Sequence, residues 1–139
     1  MLYYGGFDLL PRRGKVGDLR HALGLPADGQ GGRKISTLSR GELQQMGLDL
    51  AFSLVSDALL LDEPWTALEP DAREELNEKL RLTVKQRVVI CSSHDLDEVA
   101  RVADDIVFLA DGIGIWKCRE DGWGSRDDLI RLYRQSKKE

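Results

Sequence analysis

Asp62 and Glu63 stand side by side at the end of an apolar run, Ala58-Leu59-Leu60-Leu61, and Pro64 follows them. A short apolar run of this kind reads as a buried parallel strand. Acids at the carboxyl end of such a strand lie where open α/β sheets bind ligands. One carboxylate there can hold Mg2+ directly or through water, and a second beside it can polarise an attacking water. A strand that merely ends in a charged turn looks the same, so the neighbouring chemistry has to decide. Upstream, Ser39 and Glu42 have the spacing of a capping box, in which each side chain satisfies a backbone N–H of a helix start. With Gly41 beside them, the free N–H groups and dipole of that helix start also suit an anion. Downstream, His94 follows the run Val88-Val89-Ile90-Cys91-Ser92-Ser93. A lone histidine is as a rule structural, but one at the carboxyl end of a strand, downstream of two acids, is a candidate for chemistry.

These residues need elements to position them. Behind Ser39, Leu43, Met46, Gly47, Leu50 and Leu54 recur at helical spacing, which predicts a helix with one buried face. Thr66-Ala67-Leu68-Glu69 reads as a turn, and Pro70 suits the first turn of the next helix. In that helix Asp71, Glu74 and Glu75 come early and Lys79 and Arg81 late, as its dipole prefers, while Leu76 and Leu80 face inward. Val88 to Ser92 is a strand closed by His94, and Met1 to Tyr4 is a further strand. Val16 to Leu23 is a short helix stopped at Gly24, Leu96 to Val102 another helix, and Asp105 to Ala110 a strand. Asp111-Gly112 signals a hairpin turn, beyond which Ile113, Ile115 and Lys117 alternate. Ser125 and Asp128 open a last helix with Leu129, Ile130, Leu132 and Tyr133 on its buried face. Its basic end, Arg131, Arg134, Lys137 and Lys138, reads as a solvated terminus.

Composition narrows the classes. The 139 residues suffice for one small domain, and a net charge of −4 argues against non-specific nucleic-acid binding. The apolar stretch from Leu48 to Leu61 is interrupted by Asp49 and Asp57, and no run approaches the ~20 residues that span a bilayer. Met1 leads into Leu2-Tyr3-Tyr4 with no basic region, so no leader peptide is expected. Cys91 and Cys118 form neither a disulfide framework nor a metal spacing. The loop from Gly29 to Ser36 is rich in glycine but fails the phosphate-loop template and follows no strand. It reads as a solvated turn feeding the next helix.

The motifs carry a resemblance. Leu38-Ser39-Arg40-Gly41-Glu42 resembles the signature motif of ABC ATPases, usually LSGGQ. Ala58 to Pro64, ALLLDEP, resembles their Walker B strand, Thr66 to Pro70, TALEP, their D-loop, and Val88 to Asp95 their switch strand with its histidine. The order and intervals are also like the family's, and the resemblance covers about Met1 to Gly112. It implies an α/β fold of the P-loop NTPase-like ABC ATPase type, present in part. The chain is expected to form one partial nucleotide-binding domain over 1–139. Within it lie a signature-helix region at about 15–57, a Walker B to switch-histidine core at about 58–112, and a C-terminal hairpin and helix at about 113–139.

The resemblance also implies roles. Asp62 would help hold Mg2+, Glu63 would orient the attacking water as base, and His94 would contact the γ-phosphate. ATP would sit between two such domains arranged head to tail. Leu38, Ser39, Arg40, Gly41 and Glu42 would face the nucleotide held by the partner domain, with Leu68 and Glu69 at the seam. Two residues depart from the signature: Arg40 replaces its middle glycine, and Glu42 replaces its glutamine and adds negative charge near phosphate. The family's Q-loop glutamine would fall on Gly5 or Gly6, so no Q-loop residue is assigned. The Walker A loop is absent from the sequence, so the chain is expected to be the C-terminal part of such a domain. Alone, it is expected neither to bind ATP tightly nor to hydrolyse it.

The function implied is that of an ATP-binding and ATP-hydrolysing subunit of an ABC transporter, coupling ATP-driven dimerisation to transport. Its cofactors would be ATP and Mg2+. Its partners would be a second nucleotide-binding domain and a transmembrane permease, with no nucleic acid. It would lie in the cytoplasm, peripheral at the inner face of the cell membrane. Leu38-Ser39-Arg40-Gly41, Ser92-Ser93-His94 and Val102-Ala103-Asp104 look more like exporter ATPases than importer ones. The alternatives are a non-catalytic module that donates its signature in trans to a P-loop-bearing partner, and a truncated product without activity. An ABC ATPase of DNA repair or chromosome organisation is a further reading, against which the acidic balance and the lack of a coiled-coil stretch count.

Overall fold

Three short parallel strands form the sheet that carries the acids. In the computed structural model, which describes residues 2–4, 15–22 and 31–136, β1 (Leu2–Tyr4), β2 (Ala58–Asp62) and β3 (Val88–Ser92) lie in the order β1-β2-β3. Leu2 pairs with Leu59 on one side of β2, and Ala58 pairs with Val88 on the other. Leu59 and Leu61, on one face of β2, are buried, while Ala58 and Leu60 on the other face are half-buried. β3 lies at the edge of the described sheet, and Val88 and Ile90 are exposed along one of its faces.

The chain divides into two compact units, Met1–Ser92 and Ser93–Glu139. The boundary falls inside the 58–112 stretch. In the first unit, α1 (Val16–Ala22) precedes α2 (Arg40–Ser53), which runs beside β1, and α3 (Pro70–Thr83) runs beside β3. The expected stop of α1 at Gly24, the loop over 5–14 with Gly5 and Gly6, and the first part of the Gly29 to Ser36 loop lie outside the described residues. From Gly31 that loop makes a turn and a short 3-10 helix, Ile35–Thr37.

α2 departs from the single buried face expected of it. Met46 packs with Ile35, Leu38, Leu43 and Leu50, which is the anticipated side. Gly47 is buried as anticipated, but Gln44, Leu48 and Ala51 are buried as well, so the helix is covered on two sides. Leu54 is no part of the face: it is the C-cap residue and is 39% exposed. Arg87, at the mouth of β3, donates to the Leu54 carbonyl at 2.7 Å and the Phe52 carbonyl at 3.2 Å. It thereby satisfies carbonyls that α2 leaves open at its end. α3 follows expectation, with Pro70 in its first turn and Leu76 and Leu80 buried. Lys79 reaches across to Asp49 of α2 at 3.1 Å.

The second unit holds α4 (Leu96–Val102), the antiparallel hairpin of β4 (Asp105–Ala110) and β5 (Ile113–Cys118), and α5 (Arg126–Ser136). Asp111 and Gly112 form the turn with φ of 53° and 78°, the left-handed pair that matches the twist of a two-residue hairpin. Ala100, Trp123, Leu129 and Leu132 make the core, with Val99, Ile106 and Phe108 against it. Arg119 braces this unit, donating to the carbonyls of Ala100 and Ala103 while lying over the Trp123 ring at 5.3 Å. Ser125 and Asp128 close the capping box of α5, and Arg131 pairs with Asp128 at 2.8 Å. Lys137 and Lys138 lie outside the described residues.

Candidate functional site

β2 delivers Asp62 to the carboxyl end of the sheet, where its side chain is exposed. In the parallel register the residue opposite Asp62 is Ser92, and the Ser92 hydroxyl donates a short hydrogen bond to the Asp62 carboxylate. Glu63 then leaves the strand with φ of 46°, a left-handed conformation that costs a non-glycine residue about 1–3 kcal/mol. Its neighbours hold it there. The Glu63 N–H donates to Ser92 Oγ at 3.0 Å. From α2, the buried amide of Gln44 donates to the Pro64 carbonyl at 3.1 Å and reaches the Glu63 carbonyl at 3.5 Å.

The turn after the acids is pinned further along. Trp65 is buried and donates through Nε1 to Oδ1 of Asn77 on α3 at 2.8 Å, and Asn77 is itself fully buried. Arg73 donates to the Leu68 carbonyl at 3.2 Å. Ala67 has φ of 63°, and its carbonyl comes up against the first turn of α2. A Cβ at Gly41 would stand 2.7 Å from Ala67 O, closer than any real contact of that kind. Gly41 is therefore demanded by packing against this turn, whatever else approaches it.

The start of α2 is built as the spacing predicted. Glu42 N–H donates to Ser39 Oγ at 3.1 Å, and Glu42 Oε2 accepts the Ser39 N–H at 2.7 Å. Arg33 adds a partner that spacing did not reveal. Its guanidinium forks onto Glu42 with contacts of 2.5 and 3.2 Å. The hydrogen bond from Arg33 first, then that from the Ser39 backbone, hold the Glu42 carboxyl down at about 2. The negative charge of Glu42 is thus met by a cation of the same unit. Ser39 and Arg40 are exposed. Burial pushes the Cys91 thiol up to about 12, so the cysteine beside Ser92 offers no thiolate.

Of the residues singled out from sequence, Ser39, Gly41, Glu42, Asp62 and Glu63 belong to one connected arrangement in the first unit. Leu68, expected at a seam, is only 8% exposed, so Glu69, the N-cap of α3, is the outward side chain of that pair. Leu38 packs against the Ile35–Met46 cluster. His94 falls beyond the end of β3, exposed, in the second unit. Sequence reasoning passed over Gln44, Ser92 as a partner of the acids, Arg33 and Asn77. Gln44 alone left a signal, since it shares helical spacing with Leu48 and Ala51.

No protein-family model matches the chain. Among curated proteins, the glycine betaine/proline betaine transport system ATP-binding protein ProV of Escherichia coli (strain K12) is 42% identical over 77 residues, which is 54% of this chain and 19% of ProV. The high-affinity zinc uptake system ATP-binding protein ZnuC of Bacillus subtilis (strain 168) is 35% identical over 116 residues, 81% of this chain and 45% of ZnuC. A solved ATP binding subunit of an ABC transporter matches 89% of the chain and 64% of its own length with a TM-score of 0.74. At 19% identity this is a likeness of fold. Fold and sequence together define the class: the chain belongs to the ABC ATPases. Its curated relatives are ATP-binding proteins of ABC transporters, and it spans 19% to 45% of their length.

Proposed function

We propose that the chain is the part of an ABC transporter's ATP-binding subunit that carries the signature helix, the Walker B acids and the switch histidine. The observation that carries this reading is the acid pair at the end of the central parallel strand, tied by Gln44 and by the Gly41–Ala67 contact to a fully capped signature helix. Among the described residues no group of three acids, histidines or cysteines could hold a metal by itself. That suits Mg2+, which takes one or two carboxylates and completes its shell with phosphates and water. Asp62 is the residue that would hold it, and the ion supplies charge neutralisation on the phosphates. Glu63 would orient the attacking water, and His94 would meet the γ-phosphate. Ser39 and Gly41 would face the nucleotide of a second domain packed head to tail, with Glu69 at the seam.

The sequence contains no phosphate loop, so ATP binding and hydrolysis belong to an assembly in which another polypeptide segment supplies it. Among the described residues no helix is long and apolar enough to cross a membrane. In this reading a permease partner would provide the membrane path and hold the chain at the inner face. The exporter direction expected from Leu38-Ser39-Arg40-Gly41, Ser92-Ser93-His94 and Val102-Ala103-Asp104 finds no support in the names of the relatives above. ZnuC is named for uptake, and import is the direction this reading adopts. A second reading is a module that only donates its signature in trans, for which the intact capping box of α2 speaks.

The test is ATP-dependent co-elution with a P-loop-bearing partner. Ser39→Asp keeps a good N-cap, so the helix start survives, but it sets like charge beside a γ-phosphate and is expected to abolish the association. Glu63→Gln, made in residues 1–139, is expected to leave association intact, because those residues hold no phosphate loop to place a nucleotide beside Glu63. Association that withstands Ser39→Asp overturns the signature assignment. Association altered as strongly by Glu63→Gln shows instead a complete cis site, with the missing part supplied by another chain.

A further inference from the structure

Ser92 addresses both acids through one hydroxyl. It donates its proton to Asp62 and accepts the Glu63 N–H at 3.0 Å, which a hydroxyl can do at once because it has one proton and two lone pairs. The parallel register places it there, since Asp62 and Ser92 are the last pair of the β2–β3 ladder. Along the same face of β3, Val88 and Ile90 are exposed and apolar, so the polar residue appears only where the strand reaches the acids. Ser92 is exposed and adds nothing to the core. Its two bonds fix what the acids need for chemistry. One holds a single oxygen of Asp62 and thereby orients the other. The second holds the peptide of Glu63 in the left-handed conformation that sets the direction of its side chain.

We infer that Ser92 is the positioning residue of the Asp62–Glu63 pair, an inference that rests on the reading of these acids as the Mg2+ and water groups of an ATPase. The test compares Ser92→Val, which removes the hydroxyl, with Ser92→Thr, which keeps it at the same shape. In the full chain, hydrogen exchange of the Glu63 amide is expected to quicken about tenfold in Ser92→Val and to stay within about twofold of wild type in Ser92→Thr. In an assembly of the full chain with a P-loop-bearing polypeptide, kcat is expected to fall about ten- to a hundredfold in Ser92→Val. The KM for MgATP should be unchanged, and Ser92→Thr should restore kcat. Exchange or kcat unaltered in Ser92→Val overturns the inference, as does a loss that Ser92→Thr fails to restore. A wild-type assembly that hydrolyses nothing overturns the ATPase reading itself, and the wild-type control separates that failure from a failure of Ser92.

Discussion

Replacing Gly41 with alanine sets two effects against each other. In the first turn of a helix, alanine gains up to about 1 kcal/mol over glycine from propensity. Sequence alone would therefore expect Gly41→Ala to be neutral or stabilising unless phosphate is present. The structure opposes this, because the new Cβ would lie 2.7 Å from the Ala67 carbonyl oxygen. That oxygen belongs to backbone and cannot swing aside as a flexible side chain would. Its turn is tied by Gln44 to the Pro64 carbonyl, by Trp65 to Asn77 and by Arg73 to the Leu68 carbonyl. Overpacking against backbone that cannot yield falls in the upper part of the range of about 1–3 kcal/mol, say about 2–3, and less the propensity gain of about 1 this leaves a net destabilisation of about 1–2 kcal/mol. With a urea slope of about 2 kcal/mol per molar, the unfolding midpoint followed by far-UV circular dichroism should drop by roughly 0.5–1 M. Gly32→Ala is the control, since nothing lies within 4 Å of a Cβ there, and it should stay within about 0.5 kcal/mol of wild type. A Gly41→Ala midpoint at or above wild type, measured without nucleotide, would refute the packing argument and return the glycine wholly to phosphate.

Gln44→Leu keeps the bulk of a buried side chain but leaves the Pro64 carbonyl without its donor. It should cost about 1–3 kcal/mol, and a thermal melt should show a fall of roughly 3–10 °C. Glu42 predicts a pH dependence. Its folded carboxyl is held below the ordinary value of 4.5, at about 2, so its stabilising contribution is present above pH 4.5 and is lost as pH falls through about 2. Denaturation midpoints across that window should flatten in Arg33→Gln, and a slope unchanged by that substitution would show that the Arg33 fork is not its source.

Local chemistry was legible in the residue types. Capping boxes at Ser39 and Ser125, the helix start at Pro70, the Asp111-Gly112 turn and the apolar run of β2 all emerge where spacing placed them. Each depends on groups within a turn of one another, and a short reach leaves the backbone little choice. The chemistry around the acids was not legible in this way. Arg33 reaches Glu42 across 9 positions, Gln44 reaches Pro64 across 20, and Ser92 reaches Asp62 across 30. Such pairs exist only because the parallel register of β2 and β3 and the path of α2 bring distant segments to one end of the sheet. The two left-handed residues that aim this site, Glu63 and Ala67, are of types that give no warning of positive φ. The order of motifs along the chain thus belonged to the sequence. The hydroxyl that bonds Asp62 and the Glu63 peptide, the amide that ties their turn to α2 and the carbonyl that requires Gly41 were decided by tertiary structure, because long-range hydrogen bonds and contacts have no signature in spacing.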